Sequence, residues 1–234
     1  ESIRKDADTY YAIAYSKLCQ RDYIGAIEDY TKAIEIYPEF VKALVMRGFA
    51  KEALEDYVGV IEDYNKVIEI FPKYADVYYK LGNVKYALGN YTNAIEDYNK
   101  AIEFDDPQDE EIHDNYYFKR GLAKYNLGDY IGTIEDYNKA IEYDPEEEVN
   151  YYNRGLAKFN IDDYKGAIED YNKVIELNPH FTEAYSSRGL TKFNLDNYIG
   201  AIEDYDKAIE FDPQIEDNYY NRGLAKFNID DYKG

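Results

Sequence analysis

The string Ala-Ile-Glu-Asp-Tyr, or a near copy of it, begins at Ala26, Val60, Ala94, Thr133, Ala167 and Ala201, in steps of 34, 34, 39, 34 and 34 residues. A fixed period of that length means that one supersecondary unit, too small to bury its own apolar face, is stacked on copies of itself until a continuous core forms. Two further series keep the same beat: Pro38, Pro72, Pro107, Pro145, Pro179 and Pro213, and Gly48, Gly82, Gly121, Gly155, Gly189 and Gly223. The length of 234 residues therefore counts repeats in one elongated domain, not globular domains.

The unit from Ala75 to Pro107 shows what is being repeated. Val77, Tyr78, Leu81, Val84 and Leu88 fall at three-, four- and seven-residue intervals, which predicts a first helix over Asp76 to Leu88. Gly89-Asn90 breaks the pattern, as do Gly128-Asp129, Asp162-Asp163 and Asp196-Asn197 in later copies, so a short turn with an N-cap residue follows. From Tyr91 the series Ala94, Ile95, Tyr98, Ala101, Ile102 resumes a helical stripe, which the proline ends. Each unit is an antiparallel helical hairpin. Its mid-helix glycine costs about 1 kcal/mol relative to alanine, so close helix contact is the expected reason for it. Ala94 and Ala101 face that contact, and Tyr78, Tyr91, Tyr98 and their counterparts fill the core.

These residues, a Tyr four before the Gly, Gly-(Asp/Asn)-Tyr at the turn, Ala-Ile opening the second helix, then Tyr, Ala and the terminal Pro, resemble the tetratricopeptide repeat. The resemblance covers nearly the whole chain, with repeats at about 7–40, 41–74, 75–108, 114–147, 148–181 and 182–215 and a partial one at 216–234. Leu44 in place of an aromatic, Ala14 in place of the glycine and Thr133 in place of an alanine are the departures. The resemblance implies an all-α, right-handed superhelical solenoid whose first helices line a concave groove used to hold an extended peptide or a partner's helix. The chain opens at Glu1 and stops at Gly234 inside a repeat, which reads as an excised fragment.

The 39-residue step places an acidic insertion at about 105–113, with Asp105, Asp106, Asp109, Glu110 and Glu111. It lacks the alternating ligands and central glycine of a calcium loop, so a solvated loop is expected and no metal. Arginines precede the glycine at Arg47, Arg120, Arg154, Arg188 and Arg222, and each second helix offers an inward aspartate, such as Asp63, Asp136, Asp170 and Asp204. A buried arginine requires a counter-ion, so ion pairs Arg120 with Asp136, Arg154 with Asp170 and Arg188 with Asp204 are expected inside the hairpins. On the outer helices, Glu28 with Lys32, Glu62 with Lys66, Glu96 with Lys100 and Glu169 with Lys173 stand four apart, in the favourable order.

Function has to sit on the first helices. Rotation by roughly 100 degrees per residue puts Tyr79 and Tyr86, Phe118, Leu122 and Tyr125, Tyr152, Leu156 and Phe159, and Leu190 and Phe193 on a face away from the core stripe. Asn126, Asn160 and Asn194 follow the aromatics by one residue, and amides so spaced suit an extended backbone. The alternative is that these aromatics only pack adjacent first helices together. Tyr11 and Tyr15 occupy the positions where a basic-and-amide clamp for acidic tails needs lysine and asparagine.

A balance of 27 basic against 48 acidic residues, net -21, repels phosphate backbones and anionic lipid, so no nucleic acid and no membrane insertion are expected, and the partner segment is neutral or basic. Two histidines far apart in the repeat order, a lone Cys19 and no phosphate loop leave no catalytic constellation and no cofactor site. The expectation is a non-catalytic protein-protein interaction scaffold. The rival is a self-assembling scaffold that oligomerises through its last helix, where Tyr219, Leu224 and Phe227 lack a second helix of their own. Composition leaves the compartment open and leans to the cytoplasm.

Overall fold

A computed structural model describes residues 2–105 and 113–231, all of whose regular structure is helical. Most of the acidic insertion, Asp106, Asp109, Glu110 and Glu111 included, lies outside the described residues. The chain divides into two compact units, 1–109 and 110–234. The first holds α1 (Ser2–Cys19), α2 (Tyr23–Ile36), α3 (Val41–Glu52), α4 (Tyr57–Ile70), α5 (Ala75–Ala87) and α6 (Tyr91–Phe104). The second holds α7 (His113–Asn126), α8 (Tyr130–Tyr143), α9 (Glu148–Asn160), α10 (Tyr164–Leu177), α11 (Thr182–Asn194), α12 (Tyr198–Phe211) and α13 (Glu216–Asp231). Within each unit, odd and even helices pair as hairpins, and every even helix also touches the odd helix that follows it.

Each hairpin turn uses the same backbone device. The residue two before the second helix is left-handed: Arg21, Glu55, Gly89, Gly128, Asp162 and Asp196 have φ between 58° and 79°. The next amide then reaches back five residues to close the first helix, as Asp163 N–H does to Lys158 O at 2.9 Å and Asp56 N–H to Lys51 O at 3.0 Å. The same residue caps the second helix. Asp22, Asp56, Asp129, Asp163 and Asn197 accept through Oδ1 from the backbone N–H of Gly25, Gly59, Gly132, Gly166 and Gly200 at 3.0 to 3.1 Å. A side chain at four of those glycines would collide with the capping carboxylate, and where Asn93 stands instead, Asn90 makes no side-chain cap bond.

The mid-helix glycines answer to tyrosine rings, not mainly to the opposed alanines. A methyl added at Gly155 meets Tyr171 Cε1 at 2.7 Å, and one at Gly48 or Gly82 meets the Tyr64 or Tyr98 ring at 2.5 Å. Tyr30, Tyr64, Tyr98, Tyr137, Tyr171 and Tyr205 are the largest buried side chains of the second helices. The Tyr98 hydroxyl donates to Asn83 Oδ1 at 2.9 Å, whereas those of Tyr30, Tyr64 and Tyr205 are buried with no partner among the described residues, and burial raises their pKa. Ring packing therefore outweighs an unsatisfied hydroxyl that costs about 1–3 kcal/mol.

The departures from the repeat pattern are absorbed locally. Leu44 is buried among Val60, Tyr64 and Val67, Ala14 is fully buried, and Thr133 satisfies its hydroxyl on Asp129 O at 2.7 Å. Inter-repeat loops are tied down by tyrosines: the hydroxyls of Tyr78, Tyr151, Tyr185 and Tyr219 donate to the carbonyls of Pro72, Pro145, Pro179 and Pro213 at 3.1 to 3.2 Å. On the outer helices the lysines do not reach back to the glutamates four residues earlier. Lys66 and Lys173 run forward to Glu69 and Glu176 at 2.8 Å, Lys32 meets Asp29, and Lys100 lies over the Tyr78 ring.

Gly155 and Gly223 occupy equivalent positions, but nothing lies within 4 Å of a methyl built at Gly223. Gly155→Ala is expected to destabilise by about 1–3 kcal/mol through overpacking, whereas Gly223→Ala stabilises by about 1 kcal/mol through helix propensity alone. Denaturant titration followed by helical circular dichroism checks both signs in one series.

Candidate functional site

Two sets of side chains recur in the first helices, one turned into the hairpin and one turned away. The inward set is electrostatic. Asp63, Asp136, Asp170 and Asp204 are buried, at 1 to 3% exposure. Each accepts two bonds from an arginine: Arg154 Nε donates to Asp170 Oδ2 at 3.0 Å and Nη2 to Oδ1 at 2.6 Å, and Arg47, Arg120 and Arg188 do the same to Asp63, Asp136 and Asp204. A second cation joins each cluster beside the expected arginine. Lys51, Lys124, Lys158 and Lys192, one turn after the arginine, reach the same carboxylates at 2.7 to 2.9 Å and also donate to the carbonyl of the capped glycine. Their constant place three residues after the glycine was the available signal.

The arginines also join successive repeats. Arg154 Nη1 donates to Asn138 Oδ1 at 2.7 Å, Arg188 Nη1 to Asn172 Oδ1 at 2.6 Å and Arg47 Nη1 to Thr31 Oγ1 at 3.0 Å, each on the preceding second helix. The guanidinium groups of Arg120, Arg154, Arg188 and Arg222 further lie over Tyr117, Tyr151, Tyr185 and Tyr219, 5.4 to 5.5 Å from the ring centres. These arginines are thus occupied inside the chain.

Two clusters deviate. Asp29 is held by Lys17 at 2.6 Å and Lys32 at 2.8 Å, and these hydrogen bonds depress its pKa. In the third hairpin Leu81 stands where the arginine would be, leaving Asp97 with Lys85 at 2.5 Å. Burial there outweighs the ammonium, and the Asp97 pKa is raised.

The outward set consists of the aromatics and leucines. Tyr79, Phe118 and Tyr152 rest on the buried Tyr98, Tyr137 and Tyr171 with ring centres 5.9 to 6.0 Å apart. Tyr86, Tyr125, Phe159 and Phe193 rest on the first residue of the second helix, Tyr91, Tyr130, Tyr164 and Tyr198, at 5.3 to 5.5 Å. Each of these aromatics is half-buried, Leu122 and Leu156 lie between them half-exposed, and Leu190 is 38% exposed. Along the second unit, neighbouring first helices meet through this face: Asn160 Nδ2 donates to the Tyr125 hydroxyl at 3.1 Å, and the Tyr152 hydroxyl lies 3.3 Å from Ser187 Oγ. Asn160 Nδ2 also donates to Leu156 O at 2.8 Å, as Asn126 Nδ2 does to Leu122 O, while Asn194 is exposed at the end of its helix. On α13, Tyr219, Leu224 and Phe227 are exposed at 42%, 36% and 68%.

The two kinds of aspartate differ in what removal of charge does. Asp170→Asn leaves Arg154 and Lys158 facing each other without an anion and is expected to cost about 3 kcal/mol, while Asp97→Asn costs less than about 1 kcal/mol because it removes a carboxylate that burial disfavours. A raised folded pKa means that the contribution of Asp97 is fully present below its unfolded value, near 3.9, and is lost as pH rises through the folded value. Asp97→Asn therefore gains on the unchanged chain as pH rises from about 4 to 7. Asp29 has the opposite sign, its contribution being lost as pH falls through the depressed value. Denaturation midpoints from about pH 4 to 7 check Asp97, and midpoints followed from about pH 4 downward check Asp29.

The hairpins of this chain match known proteins. Models described as Tetratricopeptide repeat match residues 75–106 and 151–181, and residues 7–40 and 114–147; one described as TPR repeat matches 53–89 and 193–230. No curated protein matches the chain. Among solved structures, MamA is 26% identical over 76% of this chain and 94% of its own, with a TM-score of 0.70. YrrB, described as a TPR protein with an unusual peptide-binding site, is 21% identical over 83% of this chain and 97% of its own, with a TM-score of 0.74. PilF of Pseudomonas aeruginosa is 14% identical over 96% of this chain and all of its own, with a TM-score of 0.73. The last two likenesses bear on the fold alone. No helix among the described residues is long and apolar enough to cross a membrane. With matched segments spanning most of its length, the chain belongs to the tetratricopeptide repeat family, whose arrays serve as protein-interaction scaffolds and are generally non-catalytic.

Proposed function

We propose that this chain is a non-catalytic scaffold that holds an extended peptide or a partner's helix against the outward face of its first helices. The observation that carries the reading is the half-exposed strip of the second unit, Phe118, Leu122 and Tyr125, then Tyr152, Leu156 and Phe159, then Leu190 and Phe193. Each aromatic of the strip is braced by a ring beneath it, so a partner's side chains meet a surface already ordered, which lowers the entropic cost of association. The amides contribute less than their spacing implies. Asn160 spends its N–H groups on Leu156 O and the Tyr125 hydroxyl, leaving Oδ1 to accept from a partner's backbone. The net charge of -21 favours a neutral or basic segment.

Selection of peptides from a random displayed library tests this. Enriched peptides are expected to bind the unchanged chain with micromolar affinity and to lose at least tenfold against a Tyr152→Ala, Phe159→Ala, Phe193→Ala variant, given the cost of removing aromatic anchors. Equal binding by both chains rules the face out.

A second reading, self-association through α13, rests on one observation. Residues 218–234 repeat residues 150–166 without a single difference, yet Gly223 is open where Gly155 is covered by Tyr171, and Phe227 is 68% exposed. Under that reading the mass in solution rises with concentration and Phe227→Ser abolishes the rise. Mass that stays monomeric across the series leaves the peptide scaffold standing alone.

A further inference from the structure

The hairpins of the second unit are antiparallel and their first helices touch in succession, α7 with α9 and α9 with α11. Their turns consequently share one edge of the unit, remote from the middle of the first-helix face. That edge carries aliphatic side chains in water: Leu127 at 50% exposure, Ile131 at 66%, Ile161 at 42%, Leu195 at 42% and Ile199 at 66%. We propose that this turn edge is a second docking surface, built for a basic amphipathic helix of a partner protein.

The fold does not ask for these residues. Lys165 occupies the place of Ile131 and Ile199, and its hairpin closes with the same cap bond, Gly166 N–H to Asp163 Oδ1 at 3.0 Å, that the isoleucine-bearing turns show. A polar residue thus serves that position equally well, and Ile131 and Ile199 stand mostly in water at 66% exposure.

The surroundings select the occupant. Exposed Asp129, Asp162, Asp163 and Asp196 flank the aliphatics. Each is held in place, Asp162 and Asp196 accepting from the Tyr164 and Tyr198 hydroxyls at 2.7 and 2.6 Å, and Asp129 and Asp163 from backbone amides at 3.0 Å. Lys165 interrupts the row in the middle turn, but the four fixed carboxylates outnumber that one ammonium, so the edge complements an apolar stripe flanked by lysine or arginine. A second copy of this chain is a poor occupant, because it would bring a like-charged edge of a molecule with net charge -21. Packed helices generally stand about 8–10 Å apart, and residues seven apart on a helix lie about 10.5 Å apart along one face. One aliphatic per heptad of the incoming helix meets one turn.

The test uses the whole chain and a fluorescein-labelled 21-residue peptide with leucine at heptad core positions and lysine elsewhere, read by fluorescence anisotropy. Binding is expected, at least tenfold weaker in 0.5 M sodium chloride and at least tenfold weaker to an Ile131→Ser, Ile199→Ser variant whose thermal midpoint is unchanged. The Tyr152→Ala, Phe159→Ala, Phe193→Ala variant is expected to bind this peptide as the unchanged chain does, which separates the turn edge from the first-helix face. The same peptide with glutamate in place of lysine is expected not to bind. No binding of the lysine peptide, equal binding by the double serine variant, or loss of binding only in the triple alanine variant overturns the proposal.

Discussion

A tyrosine ring laid across a glycine closes every hairpin in which the glycine and a second helix are both present, and the rest of the architecture follows from that contact. The ring fills the space a side chain would take, draws the two helices together, and commits the chain to a hydroxyl that, for Tyr64 and Tyr205, has no partner among the described residues. Once the helices are that close, the aspartate beside the tyrosine is driven into the interior. It is stable there only because the first helix delivers cations to it.

The buried aspartates draw the arginines into the chain's own packing. Arg154 is divided among Asp170 in its own hairpin, Asn138 on the preceding helix and the face of Tyr151. One side chain thereby supplies charge compensation, repeat-to-repeat registry and aromatic packing, a combination a lysine cannot reproduce because it lacks the planar fork. The third hairpin shows the cost of doing without it. With Leu81 in that place, the side chain joins Val60, Val77 and Val84 in a buried cluster, while Asp97 pairs with Lys85 instead of an arginine fork and has a raised pKa.

Much of this was legible in the amino-acid order. Period, hairpin, turn and the arginine–aspartate pairing each follow from residue type at fixed spacing, because helices impose a regular geometry on regular sequence. Other features were not legible. The ring beneath each outward aromatic and the use of Asn160 Nδ2 within the array depend on side-chain directions across two or three helices, which spacing along one helix does not encode. The aliphatic turn residues were equally visible in sequence, but only burial distinguishes an exposed Ile131 from a buried core residue.

One pair of segments separates the two kinds of information. Residues 150–166 and 218–234 are identical, and both begin as helix because their propensities and apolar spacing are the same. In the first, the helix stops at Asn160 and Asp162 turns left-handed at φ 62°; in the second, the helix runs on through Asp231. Around the first, α10 supplies what the helix itself cannot: its Tyr171 covers Gly155 and its Asp170 binds Arg154 and Lys158. The sequence by itself determined that this stretch is a helix with a glycine notch and an inward arginine. What fills the notch and what neutralises the arginine was decided by tertiary structure, since only a packed second helix brings Tyr171 over Gly155 and Asp170 within reach of Arg154.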